Sequence, residues 1–171
     1  MRKLLPVLFL CAGCPGLGQV GFDIDTNGSS TVPGNPAAGV FSVFPSFGSL
    51  GNLDFSQQQA FQNNNTRKDH VAEARLSKLT LKVTSPIGDP LSFISTVEFD
   101  VGASGLPTVR IAEATIPAGV STVDLTLDNQ DIAAYVKADS FSITTKGTGH
   151  SPIHDTTIEA DLTMHIVANV L

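Results

Sequence analysis

Asp23-Ile24-Asp25-Thr26-Asn27-Gly28 sets three oxygen-bearing side chains at alternate positions ahead of a glycine, the D-x-D-x-N-G opening of a calcium loop. Such a loop works because hard oxygen ligands converge on the ion where glycine permits a sharp turn. The twelfth position, which should supply a bidentate carboxylate, is Gly34, and Asp23 falls on an alternating apolar stretch. Asp23, Asp25 and Asn27 are therefore an incomplete ligand set. The competing expectation is that both aspartates face solvent from a strand and that Asn27-Gly28 is a tight turn. A second constellation, His150-Ser151-Pro152-Ile153-His154-Asp155, gathers two imidazoles and a carboxylate. Zinc would need a further ligand from a neighbouring segment. Because Pro152 extends the backbone between the histidines, His150, His154 and Asp155 are read first as an exposed polar connection, and His165 as part of a solvated strand face.

The sequence has no G-x-S-x-G elbow, no G-x-x-x-x-G-K-[ST] loop and no G-x-G-x-x-G turn; Gly102-Ala103-Ser104-Gly105 is one residue short of the first. Two outward acids meeting in space would suffice for glycoside hydrolysis. Yet there is no Trp and only Tyr135 besides phenylalanine, so the stacking rings common in sugar clefts are missing. The expectation is a protein that is not an enzyme and carries no cofactor. Of 171 residues, 42% are hydrophobic and 15% charged, with Ser, Thr, Gly and Asn in place of charges, which suits one domain with a sizeable core. A net charge of −6 argues against a nucleic-acid backbone as partner.

The N-terminal residues have a different composition. Arg2 and Lys3 precede an apolar run from Leu4 to Ala12, broken only by Pro6 and far short of the about 20 residues of a membrane span. That is the layout of an export signal. It runs into Leu10-Cys11-Ala12-Gly13-Cys14, which resembles the lipobox of bacterial lipoproteins, with Cys11 where that pattern usually has Leu. The resemblance implies cleavage before Cys14, acylation of that cysteine, a signal over 1–13, a tether over 14–19 and one domain over 20–171. It further implies a membrane partner through the lipid, and Pro15 in place of a retention aspartate favours the outer membrane over the inner. Cleavage after Gly16-Leu17-Gly18 would instead leave Gln19 as the first residue of a soluble secreted protein. After either cleavage no cysteine pair remains for a disulfide.

From Val20 the dominant period is two. Val20, Phe22 and Ile24 alternate with polar residues; Ala72, Ala74 and Leu76 share one parity and Leu79, Leu81 and Val83 the other, which requires a bulge near Ser77-Lys78. Strands are further predicted over Leu91 to Val101, at Val109 and Ile111, as one run at Val123, Leu125 and Leu127, at Phe141 and Ile143, and from Ile158 nearly to the C-terminus. Turns are expected at Ser85 to Pro90, Gly102 to Pro107, Pro117 to Gly119, Lys146 to Gly149 and Ser151-Pro152. Ile132, Tyr135 and Val136 predict a short helix over Asp131 to Ala138. The segment 26–66 is largely irregular by composition, but Phe41, Phe44, Phe47, Phe55 and Phe61 should hold it against the core. Within it Asp54 and Gln57 have capping-box spacing for a helix from Phe55 to Gln62.

These elements make an all-β chain, an antiparallel β-sandwich of seven or eight strands with one or two short helices, ahead of a barrel. The expected role is a non-catalytic exported lipoprotein, a structural, adhesive or partner-binding module whose partner is an envelope protein or polysaccharide. A ligand-binding module, for calcium or an apolar ligand, is the alternative, and a periplasmic hydrolase the third.

Overall fold

Alternation along the chain is realised as two antiparallel sheets. The computed structural model describes residues 18–35, 39–41, 44 and 46–171. Among them, strands β1 (Gln19–Val32), β3 (Val71–Ser85), β6 (Thr122–Asp124) and β9 (Thr156–Asn169) form a four-stranded sheet in the order β1-β9-β3-β6. Strands β2 (Val40–Phe41), β4 (Ile94–Ala103), β5 (Val109–Thr115), β7 (Thr126–Leu127) and β8 (Phe141–His150) form a five-stranded sheet in the order β2-β8-β4-β5-β7. Helices α1 (Gln59–Asn63) and α2 (Ala133–Lys137) are single turns. The protein is a β-sandwich.

Strand β9 shows why the period of two decides the fold. Ile158, Ala160, Leu162, Met164, Ile166 and Ala168 are all buried, whereas the residues between them are half-buried or exposed. One face of the strand is thus given to the core, which also takes Leu79 and Leu81 from the neighbouring β3 and Val97, Phe99 and Val101 from β4 of the facing sheet. The expected bulge in β3 is present between Leu76 and Lys78, where the register moves from Leu76 opposite Met164 to Lys78 opposite Thr163. A further shift between Val71 and Glu73 exposes Ala72 and turns Val71 and Ala74 inward, against the simple alternation.

Phe44, Phe47, Phe55 and Phe61 are buried, as the phenylalanine content of 26–66 required, while the side chain of Phe41 lies outside the described residues. Phe47 stacks on Phe99 of β4 at 5.8 Å, and Phe55 meets Phe141 of β8 edge-on at 5.1 Å. The irregular segment therefore fills the space between the sheets with rings.

Five local expectations are corrected. The run 122–127 is not one strand: β6 pairs with β3 and β7 with β5, so the chain crosses between sheets at the buried Leu125. Lys146 to Gly149 is not a turn but the end of β8, where Gly147 lies opposite Val97 and Gly149 opposite Ile94. Asn27-Gly28 is not a turn either, because β1 pairs with β9 without interruption from Gln19 to Val32. Leu91 to Phe93 is a turn of 3₁₀ helix before β4. The helix expected over Phe55 to Gln62 is α1, which starts at Gln59 without a side-chain cap. Asp54 accepts instead from the backbone N–H and hydroxyl of Ser56, a local turn that competes with helix at that point.

Candidate functional site

The outward residues of β1 and β9 form a ladder of cross-strand polar pairs. Gln19 Nε2 donates to Asn169 Oδ1 at 3.1 Å, His165 Nδ1 is 2.7 Å from Asp23 Oδ1, Thr163 Oγ1 donates to Asp25 Oδ1 at 2.7 Å, and the hydroxyls of Thr31 and Thr157 are 3.0 Å apart. Asp23, Asp25 and Asn27 accordingly stand in a row along one straight strand. Alternate residues of a strand are about 6.6 Å apart, so this row cannot wrap an ion as a loop does. Beside Asp25 and Asn27 the sheet has a shallow hollow of about 350 Å³, lined also by Thr26, Lys78, Asp161, Leu162 and Thr163, next to the bulge of β3. Asp161 is held below the usual carboxylate range chiefly by Lys82, whose Nζ donates to it at 2.7 Å and reaches Glu159 at 3.0 Å. Those same bonds raise the Lys82 pKa.

The two histidines of the second constellation are both exposed, as expected of a polar connection, but they share a cleft. His150 ends β8 and His154 lies in the turn into β9, and both line a cleft of about 210 Å³ with Asp89, Pro90, Ser92, Phe93, Pro152, Ile153 and Thr156. Asp155 does not join them, because its Oδ1 accepts the Gly34 backbone N–H at 2.8 Å. The loop after β1 can approach that closely only through glycine: a Cβ on Gly34 would fall 2.4 Å from the His154 carbonyl carbon. Among the described residues, no group of three or more His, Cys, Asp or Glu is placed to hold a metal ion.

Three exposed large aliphatic side chains belong to this end: Ile153, in the cleft wall, with 74% of its surface exposed; Val40, paired with His150, with 79%; and Ile87, two residues before Asp89, with 95%; at the other pole Val170 and Leu171 are exposed as well, with 39% and 60%. Nothing in the sequence pattern pointed to the first three, since each sits in a loop or at the end of a two-residue strand. The signal available was only that each is a β-branched apolar residue inside a polar or proline-rich stretch. The segment before Val40 and the turn that carries Ile153 are joined, Asn35 N donating to the Pro152 carbonyl at 3.1 Å and Ser151 N to that of Gly39 at 3.3 Å, and Asp89 and Pro90 of the turn that carries Ile87 line the same cleft. The opposite pole holds the start of β1 and the end of β9, where Val170 N donates to the Gly18 carbonyl at 2.7 Å.

The outward face of the five-stranded sheet is charged. Arg110 donates from Nε and Nη2 to the two oxygens of Asp128, at 2.7 and 3.3 Å, and from Nη1 to Glu113 at 2.7 Å, which raises its pKa, with Asp128 the main cause. Asp100 alternates with the inward Phe99 and Val101 and so is on the outward parity, but it is buried, and Lys146 Nζ stands 2.5 Å from its Oδ2. The Lys146 pKa rises through that contact. These acids are neutralised by cations on the same face, so the pairs read as sheet surface rather than as a site.

Cys14 and the lipobox-like residues before it lie outside the described residues. No family model matches the chain, and no curated protein matches it. Among solved structures the chain is similar to one from tomato aspermy virus, with 9% identity, coverage of 96% of this chain and 86% of that one, and a TM-score of 0.27, a likeness too low to bear on fold or function.

Proposed function

We propose that this is an exported lipoprotein of the cell envelope, anchored through an acylated Cys14 in the outer membrane, and that its β-sandwich is a non-catalytic module that binds a protein partner. The support for the anchor is the positive n-region, the short apolar run and Ala12-Gly13-Cys14. The observation that carries the rest is the direction of β1. Its first residue, Gln19, lies five positions after Cys14, and its fourteen residues, at about 3.4 Å each, run about 45 Å to the opposite pole. A domain tethered at Cys14 therefore presents Val40, Ile87 and Ile153 at the end away from the membrane. Exposed aliphatic side chains carried on separate loops at one end favour a protein surface over a polysaccharide, which is better met by aromatic rings.

The geometry gives less support to the alternatives. The aspartate row on β1 does not surround an ion, Phe44, Phe47 and Phe55 are buried in the core while the hollow that Phe61 lines is otherwise walled by polar and charged residues, and His150 and His154 share their cleft with one acid, Asp89. The reading is tested by expressing the wild type and Cys14→Ser in a two-membrane bacterium and separating membranes from soluble material. The wild type should sediment with outer membranes and Cys14→Ser should be released; equal distribution of the two would overturn the anchor.

A further inference from the structure

Three of the four strands at the sheet margins are reduced to two or three residues: β2, β6 and β7. Short edge strands are a common means of denying a template to other chains. The fourth, β1, keeps fourteen residues and pairs only with β9 among the described residues. Val170 N donates to the Gly18 carbonyl, so the even-numbered residues of β1 direct their backbone groups at β9 and the odd-numbered ones direct theirs outward. Ser49 confirms that parity, since its hydroxyl donates to the outward carbonyl of Asn27 at 2.7 Å and covers the edge there. Towards the strand start the cover ends. Gly21, Asp23 and Asp25 are exposed, and none of them gives a backbone N–H or C=O to another segment among the described residues.

We propose that this stretch of β1 is a pairing edge for an extended, basic segment of a partner protein, which adds a strand to the four-stranded sheet. A strand added there would exchange backbone hydrogen bonds with Gly21, Asp23 and Asp25 and set alternate side chains beside the two aspartates on the outward face. Lys or Arg at those positions meets Asp23 and Asp25, and the hollow lined by Asp25, Asn27 and Asp161 has room for a long cationic side chain, with Lys78 at its far wall. A second copy of this chain fits poorly. Antiparallel pairing of β1 with itself, centred on Asp23, Ile24 or Asp25, sets aspartate against aspartate, and like charges directly opposite are destabilising. The inference rests on the partner-binding part of the proposed function and not on the anchor.

The test uses the exported protein, purified, and a synthetic seven-residue peptide alternating Lys with Thr and Val, compared with the same peptide N-methylated on the amides that would face β1. Binding of the unmethylated peptide should slow hydrogen exchange at Gly21, Asp23 and Asp25, and both N-methylation and the double substitution D23N/D25N should weaken it by about tenfold or more. Equal binding of the two peptides, meaning attraction by charge alone, overturns the proposal, as does protection confined to other strands or no binding at all. A photo-crosslinking residue placed at Gln19, exposed on the same face of β1 as Asp23 and Asp25, or at Ile153 in the cell separates the two levels of the reading. Crosslinks from Ile153 without any from Gln19 would remove the pairing edge and leave the partner-binding module, whereas an unacylated N-terminus would remove the anchor and leave the pairing edge.

Discussion

At Asp54 two oxygens accept from one serine, the backbone N–H and the hydroxyl of Ser56 each at 2.8 Å, and Lys68 Nζ stands 3.1 Å away. The Ser56 backbone bond above all, then its hydroxyl, then Lys68, hold the Asp54 pKa at about 2, below its ordinary 3.8. A carboxylate whose pKa is lowered by folding stabilises the protein above its unfolded pKa, and that contribution is lost as pH falls through the folded one. The wild type should therefore lose stability over Asp54→Asn between about pH 4 and pH 2, and parallel acid-unfolding curves for the two would contradict the assignment. Gly147 is a case of close approach: a Cβ there would lie 2.6 Å from the Phe44 ring and 2.7 Å from the Thr96 carbonyl. Gly147→Ala should cost about 1 to 3 kcal/mol, as overpacking does, and Gly48→Ala, where a Cβ meets nothing within 4 Å, no more than about 0.5 kcal/mol by denaturant unfolding. Neither environment was legible in the sequence. Lys146-Gly147-Thr148-Gly149 has the composition of a turn, and it is pairing with the distant β4 that makes it a strand. Asp54 and Gln57 have the spacing of a cap, but Ser56 competes for the carboxylate first.

For whole elements the period of two was the readable signal, and it held where one face of a strand is buried along its length. The inner parity of β9 was legible from Ile158 to Ala168 because both neighbours, β1 and β3, leave that face to the core. Leu162→Ala should destabilise by about 2 to 5 kcal/mol, whereas His165→Ala, which removes only an exposed contact with Asp23, should cost no more than about 0.5 kcal/mol. Comparable losses for the two in denaturant unfolding would contradict the parity. Periodicity failed at 122–127 because alternation says which face a side chain takes and not which sheet a strand joins. The helix around Ile132, Tyr135 and Val136 was legible from its spacing, but its start was not. Asp131 is outside α2, where its Oδ1 accepts from the backbone N–H groups of Ala133 and Ala74 at 3.0 and 3.1 Å and ties the helix to β3. Asp131→Ala should cost about 1 to 2 kcal/mol, with the loss visible as faster hydrogen exchange at Ala74.

The molecule as a whole has two unlike poles. One gathers the start of β1 and the end of β9 with the exposed Val170 and Leu171; the other has the His150 and His154 cleft and the loop side chains Val40, Ile87 and Ile153. That polarity was legible in part, since the alternation of Val20, Phe22 and Ile24 predicted the strand with which the described domain begins. The apolar loop tips were not, because a lone Ile or Val in a loop has no pattern around it, and only the fold brings separate loops to one end. Under the proposed function, Ile87→Glu with Ile153→Glu should leave the unfolding midpoint within the range of ordinary surface changes and abolish capture of a protein at that pole, and unchanged capture by the double variant would contradict that use of the loops. The claim on which the orientation depends is the lipid at Cys14, and intact-mass spectrometry of the exported protein tests it most directly. The account predicts an N-terminal cysteine, Cys14, carrying acyl chains; a mature protein beginning at unmodified Gln19 would contradict it.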